Sequence, residues 1–222
     1  IVLAKSNIKA CIGCRICQGA DHYLKCVFDE TDDVKAIFDK IRRSDLIVYA
    51  SPIYVFAISS LLKTFLERIT AVSDSSKHLI SNSGLFFHHA DTVLCSKPFA
   101  LIICQDNMED ETSKNAIDYF KTFSRFLDAP MAGVILRKSA TAVGHGKDVR
   151  KEDQFPKIKI VYRAIEKAGY ELASHGKISR STQKTIRMNV LNIPPVIQFL
   201  LKIPPLRKAK KFTEKILAKS QG

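Results

Sequence analysis

Short apolar runs alternate with segments of helical period along most of the chain. Ile1 to Ala4 reads as a strand or the end of one. Between Asp33 and Arg43, Val34, Ile37, Phe38 and Ile41 recur at i, i+3, i+4 and i+7, which is one apolar face of a helix. Asp32 and Asp33 stand where negative charge favours its N-terminus. Leu46 to Ser51 is a continuous apolar run, as expected of a strand buried on both faces of a parallel sheet. A helix is expected from about Ser59 to Ile69, with Leu61, Leu62, Phe65, Leu66 and Ile69 turned inward, and a buried strand from Pro98 to Cys104. Thr112 to Leu127 returns to the helical period through Ala116, Tyr119, Phe120 and Phe123. Residues 132–139 form a further strand and Lys157 to Ser174 a last long helix.

This alternation predicts an α/β domain, a doubly wound parallel sheet with helices on both faces. Ligands of such sheets bind beyond the carboxyl ends of the strands. The loops after Ala4, Ser51, Cys104 and about Ser139 are therefore where chemistry is expected. The polar stretch from Ser73 to Lys97, with Phe86-Phe87-His88-His89 in its middle, is expected to be a long loop, either a lid, an interface arm or a disordered segment. His88 and His89 are read there as loop or interface residues rather than ligands.

Past Gly176 the pattern changes. Pro194-Pro195 and Pro204-Pro205 punctuate two segments, an apolar one from Val196 to Lys202 and an amphipathic one from Leu206 to Lys219. Charge sharpens this division. The chain has a net charge of +13, but Lys177 to Gly222 alone holds eleven Lys and Arg against Glu214, a net of +10, which leaves +3 for the rest. Residues 1–176 are read as one domain and 177–222 as a basic helical extension. Such an extension docks on its own domain or a second subunit, or meets an acidic partner or an anionic membrane surface. Nucleic acid is not an expected partner. No apolar run reaches the length of a membrane span, and the start does not read as a signal peptide. Six cysteines beside a full core suit a reducing compartment, the cytoplasm, better than a disulfide scaffold.

Cys11, Cys14 and Cys17 fall three residues apart, and Cys26 follows eight residues after Gln18 begins the gap. One tight loop of C-x2-C-x2-C spacing wraps a cubane iron–sulfur cluster, with a fourth thiolate from farther along. Reduced thiols without metal, a zinc site and a redox disulfide remain open on spacing alone. Lys9, Arg15 and Lys25 are basic residues that would offset a thiolate-ligated cluster. At the second loop, a buried strand runs into Ser51-Pro52-Ile53-Tyr54. Proline fixes a turn there and the following N–H groups are free to face a planar ligand such as a flavin, or the turn simply ends the strand. The third loop, Cys104 to Asp110, is polar and stands at the same edge. The stretch from Thr141 to Asp148 is a glycine-punctuated rim without a dinucleotide fingerprint. No side chain is an obvious general acid or base.

Taken together, the cysteine motif, the helix after Asp33 and the strand–S-P-I-Y–helix run through Ile69 resemble the NAD(P)H-dependent FMN reductase family of flavodoxin-like proteins, and within it the iron–sulfur flavoprotein branch. The resemblance is specific from Ile1 to about Ile69 and looser to Gly176. It implies FMN held by Ser51, Pro52, Ile53, Tyr54 and Val55 together with Cys104, Gln105, Asp106 and Asn107, and a [4Fe–4S] cluster held by Cys11, Cys14, Cys17 and Cys26. It also implies NAD(P)H as co-substrate, a partner such as ferredoxin, and a homodimer or homotetramer. The family opens with a strand and a phosphate loop, whereas this chain is expected to start at the second strand. The other reading of the residues is a non-catalytic flavodoxin-like binding protein docked through its basic tail.

Overall fold

The computed structural model describes residues 1–143 and 155–191. The apolar and amphipathic segments expected after Pro194, and residues 144–148 of the glycine-punctuated rim, lie outside them. Helix α1 (Val34–Arg42) buries Val34, Ile37, Phe38 and Ile41, the stripe read from the sequence. Its first turn is closed by the Asp32 carboxylate, which accepts from the Val34 N–H at 3.1 Å. Strand β1 (Ile47–Tyr54) folds back through a two-residue turn onto β2 (Ala57–Ile58). Ser59 then caps helix α2 (Ser60–Glu67), its hydroxyl accepting from Leu62 N–H. Leu62, Phe65 and Leu66 turn inward as expected, but Leu61 is 45% exposed because it stands on the far side of the buried row.

Antiparallel strands β3 (Ser73–Ile80) and β4 (Phe86–Ala90) and a one-turn helix α3 (Thr92–Cys95) occupy the stretch expected to be a long loop. The segment is an ordered hairpin because its alternation gives Phe87 a partner, the Phe126 ring at 5.4 Å. The hairpin's turn is tied to the domain where Asp128 accepts from Asn82 N–H at 2.9 Å.

Strands β5 (Phe99–Cys104) and β6 (Met131–Arg137) complete the central sheet in the order β2-β1-β5-β6. The pairs β1–β5 and β5–β6 are parallel, with Pro52 opposite Cys104 and Cys104 opposite Arg137, so the strands' carboxyl ends form one row. Helix α4 (Glu111–Leu127) follows β5, and the short α5 (Ala140–Val143) follows β6. Helices α6 (Lys157–His175) and α7 (Arg180–Ile186) end the described chain. On one face Tyr49, Phe99, Phe120 and Phe123 meet ring to ring, with Tyr49 stacked on Phe120 at 5.3 Å. On the other face Ile135 packs with Ala164, Ala168, Ile178 and Ile186.

Two further expectations need correction. Residues Leu3–Lys5 make a single 3-10 turn rather than a strand, and Ile1 and Val2 are exposed, since among the described residues this run has no ladder to join. Strand β1 is buried on one face only: Tyr49 and Ser51 are buried, while Val48 is 47% exposed and Ala50 and Pro52 are open. Helices cover both faces at β5 and β6, but α6 does not extend over β1.

The outer edge of β6 is closed by the residues after α6. Ile178 N–H donates to Ala132 O at 2.8 Å, and the Gln183 carboxamide oxygen accepts from Val134 N–H at 3.0 Å. Gly133 lies between them; a Cβ there would stand 2.8 Å from Ile178 Cβ, so the close approach requires glycine. The described start of the basic extension, Lys177 to Leu191, thus packs on the domain.

Candidate functional site

The cysteine segment is a closed loop with a hydrogen-bonded neck. Asn7 and Asp33 exchange backbone and side-chain bonds: Asn7 N–H donates to the Asp33 carboxylate at 2.7 Å and Asp33 N–H to Asn7 O at 2.8 Å. Asp32 takes the Lys9 N–H at 3.2 Å. Into this neck reaches Arg68, from the 3-10 turn Arg68–Val72 that follows α2. Its Nη1 donates to Lys9 O at 3.0 Å and to the Asp32 carboxylate, so one guanidinium grips both ends of the loop. Both partners are sealed, with side-chain exposures of 1% for Arg68 and 0% for Asp32.

Within the loop, Gly13 and Arg15 adopt left-handed φ values of 67° and 58°, turning the chain sharply between the cysteines. Cys11, Cys14, Cys17 and Cys26 all carry free thiols and all line one cavity of about 250 Å3. Its other walls are Ile12, Gly13, Arg15, Gln18, Val27, Phe28, Arg68, Thr70, Ala71, Ser73, Ser75 and His88. A second cavity of about 570 Å3 lies behind the shared wall of Cys26, Val27, Arg68 and Ala71. Among the described residues no three Cys, His, Asp or Glu side chains already stand in metal-binding geometry.

The loop is fastened to the hairpin by Gln18. Its amide nitrogen donates to Ser73 O at 2.7 Å and Thr70 O at 3.2 Å and lies 3.6 Å from Cys17 Sγ, while its oxygen accepts from Ser75 N–H at 2.8 Å. A second fastening is the hydrogen bond from the Tyr23 hydroxyl to the Asp74 carboxylate. Bonds from Ser76 and then Tyr23 hold the Asp74 carboxyl well below the usual carboxylate range, and the Asp74 carboxylate in turn pushes the Tyr23 phenol up.

Arg68 is the electrostatic centre of the cavity. Burial would lower its pKa, but the Asp32 hydrogen bond and the neighbouring Cys26 sulfur carry it above the ordinary arginine range. Its Nε and Nη2 are buried without a hydrogen-bond partner. Asp29 stands 3.9 Å from Nη2, too far to accept a bond. An unsatisfied buried donor costs about 1–3 kcal/mol. Lys9, Arg15 and Lys25, read from the sequence as the compensating charges, are exposed, and Lys9 Nζ lies over the Phe28 ring and donates to Thr31. Sequence reasoning misses Arg68, although a signal exists: it falls three residues after Phe65 on the otherwise apolar face of the helix expected there.

The two loops read as a flavin edge leave neighbouring strands. Ser51 is buried; its hydroxyl donates to Pro52 O and accepts from Ser59 N–H, bracing the return of the chain into α2. The strand does not end at Pro52 but continues to Tyr54, because the turn falls at Val55 and Phe56, both with positive φ. Tyr54, Val55 and Phe56 are exposed by 65%, 91% and 59%. Ile53 is half-buried against the core. Beyond β5, Gln105 is buried and its amide nitrogen bridges Asn107 O and Glu109 O, at 2.8 and 2.7 Å, leaving its oxygen without a partner. Asn107 bonds the Thr112 hydroxyl and Asp106 receives the Thr141 N–H and hydroxyl. Ser139 Oγ is a second buried polar atom without a partner in the next loop. Burial raises the Cys104 thiol and the Arg137 guanidinium opposes it, while burial brings Arg137 itself down to about 10.

Residues 11–102 match the family model described as NADPH-dependent FMN reductase, which bears out the resemblance carried by the motifs. An iron–sulfur flavoprotein of Methanocaldococcus jannaschii is 35% identical over 68 residues, 31% of this chain and 33% of that protein. The match therefore spans about one third of that curated relative. Among solved structures, an FMN-dependent NADH-azoreductase from Bacillus anthracis in complex with FMN aligns over 78% of this chain and 80% of its own, with a TM-score of 0.52 and 14% identity. The Trp repressor binding protein from Bacillus subtilis aligns over 48% of this chain and 62% of its own, with a TM-score of 0.38 and 19% identity. The azoreductase likeness agrees with the architecture found here, a parallel sheet flanked by helices as in FMN-dependent flavodoxin-like reductases.

Proposed function

We propose that this chain is part of an FMN-dependent oxidoreductase of the iron–sulfur flavoprotein kind, using NAD(P)H and a one-electron partner such as ferredoxin. The observation that carries the reading is the convergence of four cysteines, Cys11, Cys14, Cys17 and Cys26, on one cavity with a buried guanidinium in its wall. That donor set fits a [4Fe–4S] cluster, which when bound supplies one-electron exchange. The residues at the strand ends fit the ring side of FMN, which when bound supplies hydride acceptance and single-electron release. The fit rests on Ser51 to Val55 beside Cys104 to Asn107, and on the unpartnered Gln105 carboxamide oxygen. The phosphate loop of the family is not found among the described residues.

The chain's own part is to position and seal. Ser51 braces the turn, Gln105 stiffens the loop after β5, and Gln18 and Arg68 hold the thiol loop against its neighbours. The two candidate sites flank α2, whose eight residues span roughly 12 Å. Free thiols on all six cysteines suit a reducing compartment such as the cytoplasm. The exposed tip Tyr54-Val55-Phe56 suits contact with a second copy in a homodimer or homotetramer. No helix among the described residues is long and apolar enough to cross a membrane.

The test is an absorption spectrum and iron assay of protein purified without air, followed by Cys14→Ala. The expected result is flavin bands together with iron, and loss of iron with retention of flavin in the variant. Flavin without iron refutes the cluster, and a colourless protein refutes both cofactors.

A further inference from the structure

We propose that Arg68 is the anion-holding residue of the cysteine cavity, its Nε and Nη2 donors kept clear of protein acceptors so that they meet a negatively charged, sulfur-rich occupant. The inference rests on the cluster reading above and adds to it a residue outside the cysteine motif. The guanidinium is divided in its work. Nη1 is spent on the loop's neck, through Lys9 O and Asp32, while Nε and Nη2 are buried without a hydrogen bond, the nearest carboxylate, Asp29, standing 3.9 Å from Nη2. The same side chain lines the cavity that the four thiols line.

Chemistry supplies the match. Four thiolates around an oxidised [4Fe–4S] core sum to a negative charge, spread over sulfur atoms that accept hydrogen bonds, and such bonds tune the cluster's potential. Asp32 already balances the formal charge of Arg68, so what the cavity offers an occupant is directed N–H donors in a site screened little by water. Lys9, Arg15 and Lys25 are exposed, and the Lys9 ammonium is already directed to the Thr31 hydroxyl. Phe28, whose ring lies 5.4 Å from the Arg68 guanidinium carbon, closes one side and fixes the plane. One side chain thereby does two tasks: it shuts the loop's neck and presents donors to what the loop encloses.

The experiment uses the full chain reconstituted without air from ferrous iron and sulfide. It compares wild type, Arg68→Lys, Asp32→Asn, and the pair Arg68→Met with Asp32→Asn, which replaces the buried ion pair by neutral groups of similar volume. Three quantities are read: iron per chain after desalting, the midpoint potential, and the Tm of the iron-free chain. Arg68→Lys keeps the charge and loses the forked donors, so it should retain iron at least tenfold less well or show a lower midpoint. The expected drop is a tenfold shift of the one-electron equilibrium, 59 mV. The paired variant should do the same with an iron-free Tm close to wild type. Asp32→Asn keeps Nε and Nη2 and removes a buried negative charge, so it should still load iron and should titrate no lower than wild type. Equal iron and equal midpoint in the Arg68 variants overturn the proposal. Iron loss that only tracks a fall in iron-free Tm, in Asp32→Asn as much as in the others, overturns it in favour of a neck clamp alone. A wild-type chain that takes up no iron overturns the cluster reading, and this inference with it.

Discussion

Replacing Gln18 tests whether the thiol loop is held by its fastening to the hairpin. Gln18→Leu keeps the side chain's bulk and removes the bonds to Ser73 O, Thr70 O and Ser75 N–H, at 2.7, 3.2 and 2.8 Å. At roughly 1 kcal/mol net for each bond, and allowing for the partial exposure of the site, the loss is about 2–3 kcal/mol. That energy belongs to loop opening rather than to global unfolding, since the core beneath α4 is untouched. Tenfold per 1.4 kcal/mol makes the open fraction rise roughly 30- to 140-fold. The readout is alkylation of Cys17, which is 9% exposed in the closed loop and reacts on opening. Mass spectrometry of tryptic peptides against reagent time gives its rate in the iron-free protein. Gln18→Glu should open the loop further, because a carboxylate then faces the Ser73 and Thr70 carbonyls. If Cys17 in Gln18→Leu reacts within threefold of wild type, the hairpin does not hold the loop and the account of the site is wrong.

Two further outcomes follow from the same geometry. Gly133→Ala places a methyl 2.8 Å from Ile178 Cβ and should lower unfolding stability by about 1–3 kcal/mol in denaturant titrations, whereas an unchanged midpoint would show that the approach of Ile178 is not tight. For Asp74, whose folded pKa is depressed, the stabilising contribution is complete above the ordinary carboxylate range and is lost as pH falls through the lower folded value. Asp74→Asn should therefore melt below wild type near neutrality, and the gap should shrink as the buffer is taken into the acid range. A constant gap across pH would show that the carboxylate's charge contributes nothing.

The period of the apolar residues carried much of the fold. The stripe Val34, Ile37, Phe38, Ile41 and the Tyr119–Phe120–Phe123 face lie in the core or against it. The cysteine spacing likewise named four residues that line one cavity. Local pattern could not reveal how far neighbours reach. Leu46 to Ser51 looks doubly buried because every residue is apolar or small, yet whether Val48 is covered depends on elements far away in sequence. The hairpin from Ser73 to Ala90 was hidden because serine, histidine and lysine dilute its alternation, and its order comes from Gln18, Phe126 and Asp128. Arg68 escaped notice because its meaning depends on Asp32, thirty-six residues away, which no window of helical length contains.

The central sheet has one sealed margin and one bare one. Ile178 and Gln183 occupy the backbone groups along β6, whereas among the described residues no strand lies beside Ile47 to Pro52 on the side away from β5. Open margins invite strand addition. At β6 such addition meets backbone groups already taken by Ile178 and Gln183, and this short cap keeps that margin of the sheet from pairing with another chain.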